Sequence, residues 1–131
     1  MAILKDSGEE YYYLGLLKRI WSSVRMGAAY RRLTRKLTIE NLWLYVLSLL
    51  KKKPMYGYEI REKIEKQFGF KPGKVTCYMV LYKLESEGLI ASRKIVESSS
   101  GPQRKYYVLT SKGEKALQKA KAFLKRLYQE L

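Results

Sequence analysis

Residues 101–113 read Gly-Pro-Gln-Arg-Lys-Tyr-Tyr-Val-Leu-Thr-Ser-Lys-Gly. Gly101-Pro102 is a turn signal and Gln103 to Leu109 is a run of strand-forming residues. Thr110 stands directly before a Lys- and Ala-rich segment of helical period. The stretch therefore predicts the second strand of a β-hairpin, leaving a polar tip that carries Arg104 and Lys105, then a helix N-cap.

Upstream, Leu89 to Val96 reads as the outgoing strand and Glu97 to Pro102 as its Ser- and Gly-rich loop, so the hairpin is complete and is the only β-structure predicted. Three helical segments precede it. Thr38 is placed as the N-cap of a first core helix whose apolar face is Ile39, Leu42, Trp43, Val46, Leu47 and Leu50, stopped by Lys51-Lys52-Lys53-Pro54. Met55 to Gln67 is a shorter amphipathic helix with Ile60 and Ile64 inward and Phe68 closing it. Lys71-Pro72-Gly73-Lys74 is a turn. Val75, Cys77, Leu81 and Leu84 form the inner side of a third helix, and Gly88 ends it.

Helix, helix, turn, helix and hairpin is the order of a winged helix-turn-helix, in which the third helix enters the major groove and the hairpin forms a wing. The expected class is mainly α with a small β-hairpin. It divides into a basic helical extension (residues 1–37), a DNA-binding unit (38–110) and a C-terminal helix (111–131). In that last helix Leu117, Ala120, Leu124, Leu127 and Leu131 recur at a/d spacing, a seam for another helix.

Charge and composition agree with a nucleic-acid partner. The 131 residues hold 27 Lys and Arg against 12 Asp and Glu, a net charge of +15 spread over all three parts, which attracts a polyanion such as double-stranded DNA. Histidine is absent and Cys77 is the single cysteine. No disulfide, no His/Cys zinc set and no cofactor is expected, and with no clustered acid–base candidates no enzyme is expected either. Cys77 is read as packing. The acidic start MAILKDSGEEYYY does not resemble a signal peptide, and no apolar run reaches the roughly 18 residues of a membrane span. A cytoplasmic protein is the expectation.

The first 37 residues are read separately. Ser7-Gly8-Glu9-Glu10 fits a capping box, and Tyr13, Leu16, Leu17, Ile20, Trp21 and Val24 make one stripe. A break falls near Gly27, before the basic run Arg31 to Lys36. Residues 8–36 also fit a helix lying on a membrane surface. The width of the apolar face favours core or dimer interface over that rival.

The segments PMYGYEI (Pro54 to Ile60), YMVLYKLESEGLI (Tyr78 to Ile90) and GPQRKYYVLTSKG together resemble the PadR-type transcriptional regulators over about Thr38 to Lys112. The chain departs from that family at Tyr56, where histidine is usual, and at Gly73-Lys74, where a Ser-Pro or similar helix start is usual. The resemblance implies a homodimer that binds operator DNA. It implies that the C-terminal helix supplies much of the interface, here Leu117, Ala120, Leu124, Leu127 and Leu131, and that a small effector of unspecified identity acts on many members.

The DNA-contact candidates follow from position. Lys74, Tyr78 and Tyr82 stand at i, i+4 and i+8 on the third helix, a basic and phenolic ridge, with Lys71 in the turn before it and Lys83 beside it. Thr76 and Met79 are the next candidates for base readout. On the wing, Arg104 and Lys105 point to opposite faces of a strand, and Arg104, nearer the tip, is favoured. The rival to an operator-specific regulator is a sequence-tolerant architectural protein, which the charge would also suit.

Overall fold

The computed structural model describes residues 27–96 and 103–131. The capping box, the aromatic stripe before Val24 and the wing tip at 97–102 lie outside the described residues. Helix α1 (Gly27–Leu37) opens on Gly27, whose φ of +60° suits a residue without a Cβ. A 3-10 turn (Ile39–Asn41) leads into α2 (Leu42–Leu50). There follow strand β1 (Met55–Tyr56), helices α3 (Gly57–Phe68) and α4 (Lys74–Ser86), strands β2 (Ile90–Val96) and β3 (Gln103–Leu109), and helix α5 (Ser111–Glu130).

One core ties α2–α5 and the sheet together, while α1 contributes no buried residue. Leu42, Val46, Leu47, Leu49 and Leu50 of α2 meet Ile60 and Ile64 of α3, Cys77, Leu81 and Leu84 of α4, and Ile90 and Tyr107 of the sheet. Tyr45 closes one side against Phe68 and Phe70, with ring centroids 4.8 and 5.0 Å away in edge-to-face contact. Burial pushes the Cys77 thiol up to about 11, so its thiolate is scarce at neutral pH. In the native protein at pH 8 it should react with iodoacetamide on the order of 100-fold more slowly than in the denatured chain, as timed mass spectrometry would show.

Three sequence expectations are corrected here. Thr38 occupies the N-cap position of the 3-10 turn and not of α2, and its side chain caps neither: its hydroxyl donates backward to the Thr34 carbonyl at 2.6 Å, and α2 starts four residues later. Met55 and Tyr56 do not begin a helix. They form a strand antiparallel to β3, Met55 opposite Tyr107 and Tyr56 opposite Tyr106, giving a three-stranded sheet in the order β1-β3-β2. The physical reason is the far edge of β3, whose backbone groups need partners and whose inner face buries Met55. Val75 is not on the inner side of α4; it is 74% exposed. It lies two residues before Cys77, about 200° around a helix of 3.6 residues per turn, and so opposite the face fixed by Cys77, Leu81 and Leu84.

The remaining boundaries agree with their signals. Gly88 has φ +78°, its N–H bonds the Glu85 carbonyl and that of Leu89 bonds Leu84, a Schellman-type end to α4. Thr110 caps α5, accepting from Gly113 N–H at 3.0 Å. The same hydroxyl reaches the Gly88 and Leu89 carbonyls at 2.7 and 2.9 Å, and Lys112 Nζ donates to the Glu87 carbonyl at 2.9 Å. The first turn of α5 is thus fastened to the corner between α4 and β2.

Candidate nucleic-acid interface

Helix α4 starts from a braced turn. Arg61 Nε of α3 donates to the carbonyl of buried Pro72 at 3.1 Å, which holds the approach to α4 against the preceding helix. Gly73 occupies the N-cap without a side chain to offer, so no side chain caps the first turn of α4. With Cys77, Leu81 and Leu84 turned inward, the opposite face of α4 presents Val75, Tyr78, Met79 and Tyr82, all exposed, with Lys74, Thr76 and Lys83 around them. Lys74, Val75, Tyr78, Met79 and Tyr82 line an open concavity of about 600 Å3.

Tyr78 holds its place through a glycine that the sequence reading passed over. A Cβ on Gly57, the first residue of α3, would fall 2.5 Å from Tyr78 Cε1 and 2.7 Å from Cζ and Oη. The absence of a side chain at Gly57 is therefore the seat of the Tyr78 ring. The available signal was a glycine inside a helix-forming run, which marks a close approach. Gly57→Ala should leave Tm within about 3 °C, because the ring can swing aside, while weakening DNA binding about tenfold by titration.

Between α4 and the wing lies a second cleft of about 370 Å3, lined by Tyr56, Gly57, Tyr78, Arg104, Lys105 and Tyr107. The Arg104 guanidinium sits 4.6 Å above the Tyr56 ring, which itself meets Tyr106 edge-on at 5.4 Å. The departure at Tyr56 thus supplies a platform for the wing arginine. Lys105 lines the same cleft but is engaged by a carboxylate: its Nζ lies 3.3 Å from Glu85 Oε1, and Glu85 also accepts from Ser92. The Ser92 bond first, then Lys105, hold the Glu85 carboxyl below its ordinary range, so the pair persists at neutral pH and is lost only as pH falls through that lowered value.

The predicted cations thus divide. Lys71 pairs with Glu62 and Glu65 of α3 at 3.3 and 3.6 Å, and the Glu62 bond raises its affinity for its proton. Lys71 and Lys105 are engaged within the chain, whereas Lys74 and Lys83 have no carboxylate partner among the described residues. A further basic surface lies on α1, where Arg31, Arg32, Arg35 and Lys36 surround a cavity of about 680 Å3, and Glu40 pairs with the last two. Among the described residues no group of three or more His, Cys, Asp or Glu could hold a metal ion, and no helix is long and apolar enough to cross a membrane.

The C-terminal seam is only partly free. Leu117 is 2% exposed and belongs to the core of its own chain, packed with α2, so its expected role as a partner-facing residue is corrected. A heptad spacing shows that a face is apolar without saying which helix covers it. Ala120 and Leu124 are half-buried, and Leu127 and Leu131 are exposed, as are Phe123 and Tyr128.

The family model described as the transcriptional regulator PadR-like family matches residues 46–119, from the middle of α2 into α5. The chain belongs to this family. The match contains the whole of α3 and α4, all three strands and the Thr110–Gly113 turn. Among solved structures, a PadR-family regulator of Clostridium difficile is 36% identical, with a TM-score of 0.59 over 67% of this chain and 94% of that one. A PadR-like transcription factor of Bacteroides fragilis is 31% identical, with a TM-score of 0.64 over 76% of this chain and 94% of that one. PadR of Bacillus subtilis, solved in complex with operator DNA, is 29% identical, with a TM-score of 0.55 over 60% of this chain and 45% of that one.

Proposed function

We propose that this PadR-like chain binds duplex operator DNA as a homodimer and represses transcription, with no catalytic step. Residues 38–110 act as the DNA-binding unit, residues 111–131 as the dimerisation helix and residues 1–37 as a basic extension. The observation that carries the reading is the outer face of α4. Lys74, Val75, Tyr78, Met79 and Tyr82 stand exposed on a helix whose other face is core, with Arg104 of the wing beside them. A helix so presented, with cations at its ends and a wing at its side, fits a major groove and its flanking phosphates. A relative of 29% identity, PadR of B. subtilis, has been solved in complex with operator DNA, which supports duplex DNA as the partner.

The test is to sequence the DNA that co-purifies with the protein from its own cells. A narrow palindromic site, preferred about 10³-fold or more over random duplex, is expected. Uniform coverage would instead support the architectural reading. In titrations, Lys74, Lys83 and Arg104 from two subunits should neutralise on the order of six phosphates, so log K should fall with log salt at a slope near −5. Arg104→Ala should flatten that slope and weaken operator and random DNA in parallel, since wing contacts go mainly to the backbone. A slope near zero for the parent protein would refute the electrostatic footprint.

A further inference from the structure

The outer face of α4 is poor in the side chains that read bases by paired hydrogen bonds. Residues Lys74–Ser86 contain no Arg, Asn or Gln, and the single carboxylate, Glu85, is bound to Ser92 and Lys105. Adenine is ordinarily read by Asn or Gln, cytosine by a carboxylate and guanine by Arg or Lys. Of these, only Lys74 at the start of the helix and Lys83 near its end remain.

What α4 presents instead is an apolar stripe. Val75 is 74% and Met79 59% exposed, one turn apart, flanked by the rings of Tyr78 and Tyr82. The stripe runs between Lys74 and Lys83, and Tyr78 on its flank also lines the cleft that holds Arg104, so its occupant is anionic at the rim and apolar at the centre. Among base edges in the major groove, only thymine offers an apolar group, its C5-methyl.

Resting on the DNA-binding reading, we propose that Val75 and Met79 read thymine methyl groups, and that each operator half-site carries thymines at the two positions they reach. The two residues are about 6 Å apart along the helix axis. A helix lying along the groove carries that separation over neighbouring base pairs, so the two thymines lie within a few steps of each other.

The experiment selects binding sites for the full chain from a random duplex library, then resynthesises the best site with deoxyuridine replacing thymidine at each position in turn. Deoxyuridine pairs identically and lacks only the methyl. Each methyl lost from a contact should weaken binding about fourfold, and loss from both half-sites on the order of tenfold. Val75→Ala and Met79→Ala each replace an exposed side chain; each should abolish the deoxyuridine effect at its own position and leave the other intact. Equal affinity for uracil and thymine at every position, or variants that keep the full effect everywhere, would overturn the inference while leaving operator binding standing. Failure to enrich any site would overturn the operator reading itself, and this inference with it.

Discussion

Gly113→Ala should loosen the whole domain, lowering Tm by about 10 °C or more in thermal circular dichroism. Glycine to alanine inside a helix ordinarily stabilises by about 1 kcal/mol, so the sign is diagnostic. Gly113 is buried in the first turn of α5. A Cβ there would stand 2.0 Å from the Leu89 carbonyl oxygen, 3.0 Å from its carbon and 2.7 Å from Leu109 Cδ1. Two of these three atoms are backbone at the corner of α4 and β2, so no rotamer change relieves the contact. Helix α5 must back away, and with it go the Thr110 bonds to Gly88 and Leu89 and the seat of Leu117. A cost of about 3 kcal/mol or more follows, against a total of about 5–15 for a domain of this kind. A fall of less than about 3 °C would show that α5 pivots freely on the corner.

Changing Leu124 and Leu127 together to Asp should convert the dimer to monomer, read as a halved mass by light scattering, with the domain still folded. Leu127 is 44% exposed and Leu124 half-buried, so the fold of one chain depends little on either, whereas two carboxylates at a helix seam bury unpaired charge on association. A monomer grips one half-site. Losing the intramolecular second contact should lower operator affinity by about 10²–10⁴. Leu117→Ala is the control, expected to cost about 2–5 kcal/mol of folding stability because that side chain is core. An unchanged mass for the double variant would place the interface elsewhere, with the exposed Leu33 and Leu37 of α1 next to examine.

Most of the architecture was legible because it rests on strong local chemistry. Thr110 before a Lys-rich run, Gly88 after Leu84, and the alternation of Gln103 to Leu109 each have one low-energy solution, and each element lies where its signal stands. Strand β1 was not legible, since two residues have no period and their pairing depends on β3, about fifty positions downstream. Val75 was legible and misread: its angle from Cys77 already placed it outside. Leu117 and Leu127 belong to one heptad pattern, yet one faces the chain's own α2 and the other faces solvent. Only the three-dimensional position of α2 separates them. Among the candidate contacts, type and position on α4 could be read from spacing. The internal pairing of Lys71 and Lys105 could not, because Glu62, Glu65 and Glu85 reach them only once the turn and the sheet are formed.

The fastening of the first turn of α5 to the corner of α4 and β2 makes the protein a caliper. Thr110, Lys112 and Gly113 fix the angle between the helix that would join two copies and the helix that would enter the groove. In a dimer joined along α5, the separation of the two recognition helices is then set by how the two α5 helices cross. Half-sites one helical turn apart require about 34–36 Å between their centres. A few degrees of rotation at the crossing, carried along a helix of 20 residues, would move the jaws by ångströms and change which half-site spacings are gripped. Substitutions far from DNA, in the last turns of α5, would therefore retune operator spacing while leaving untouched the bases read at each half-site.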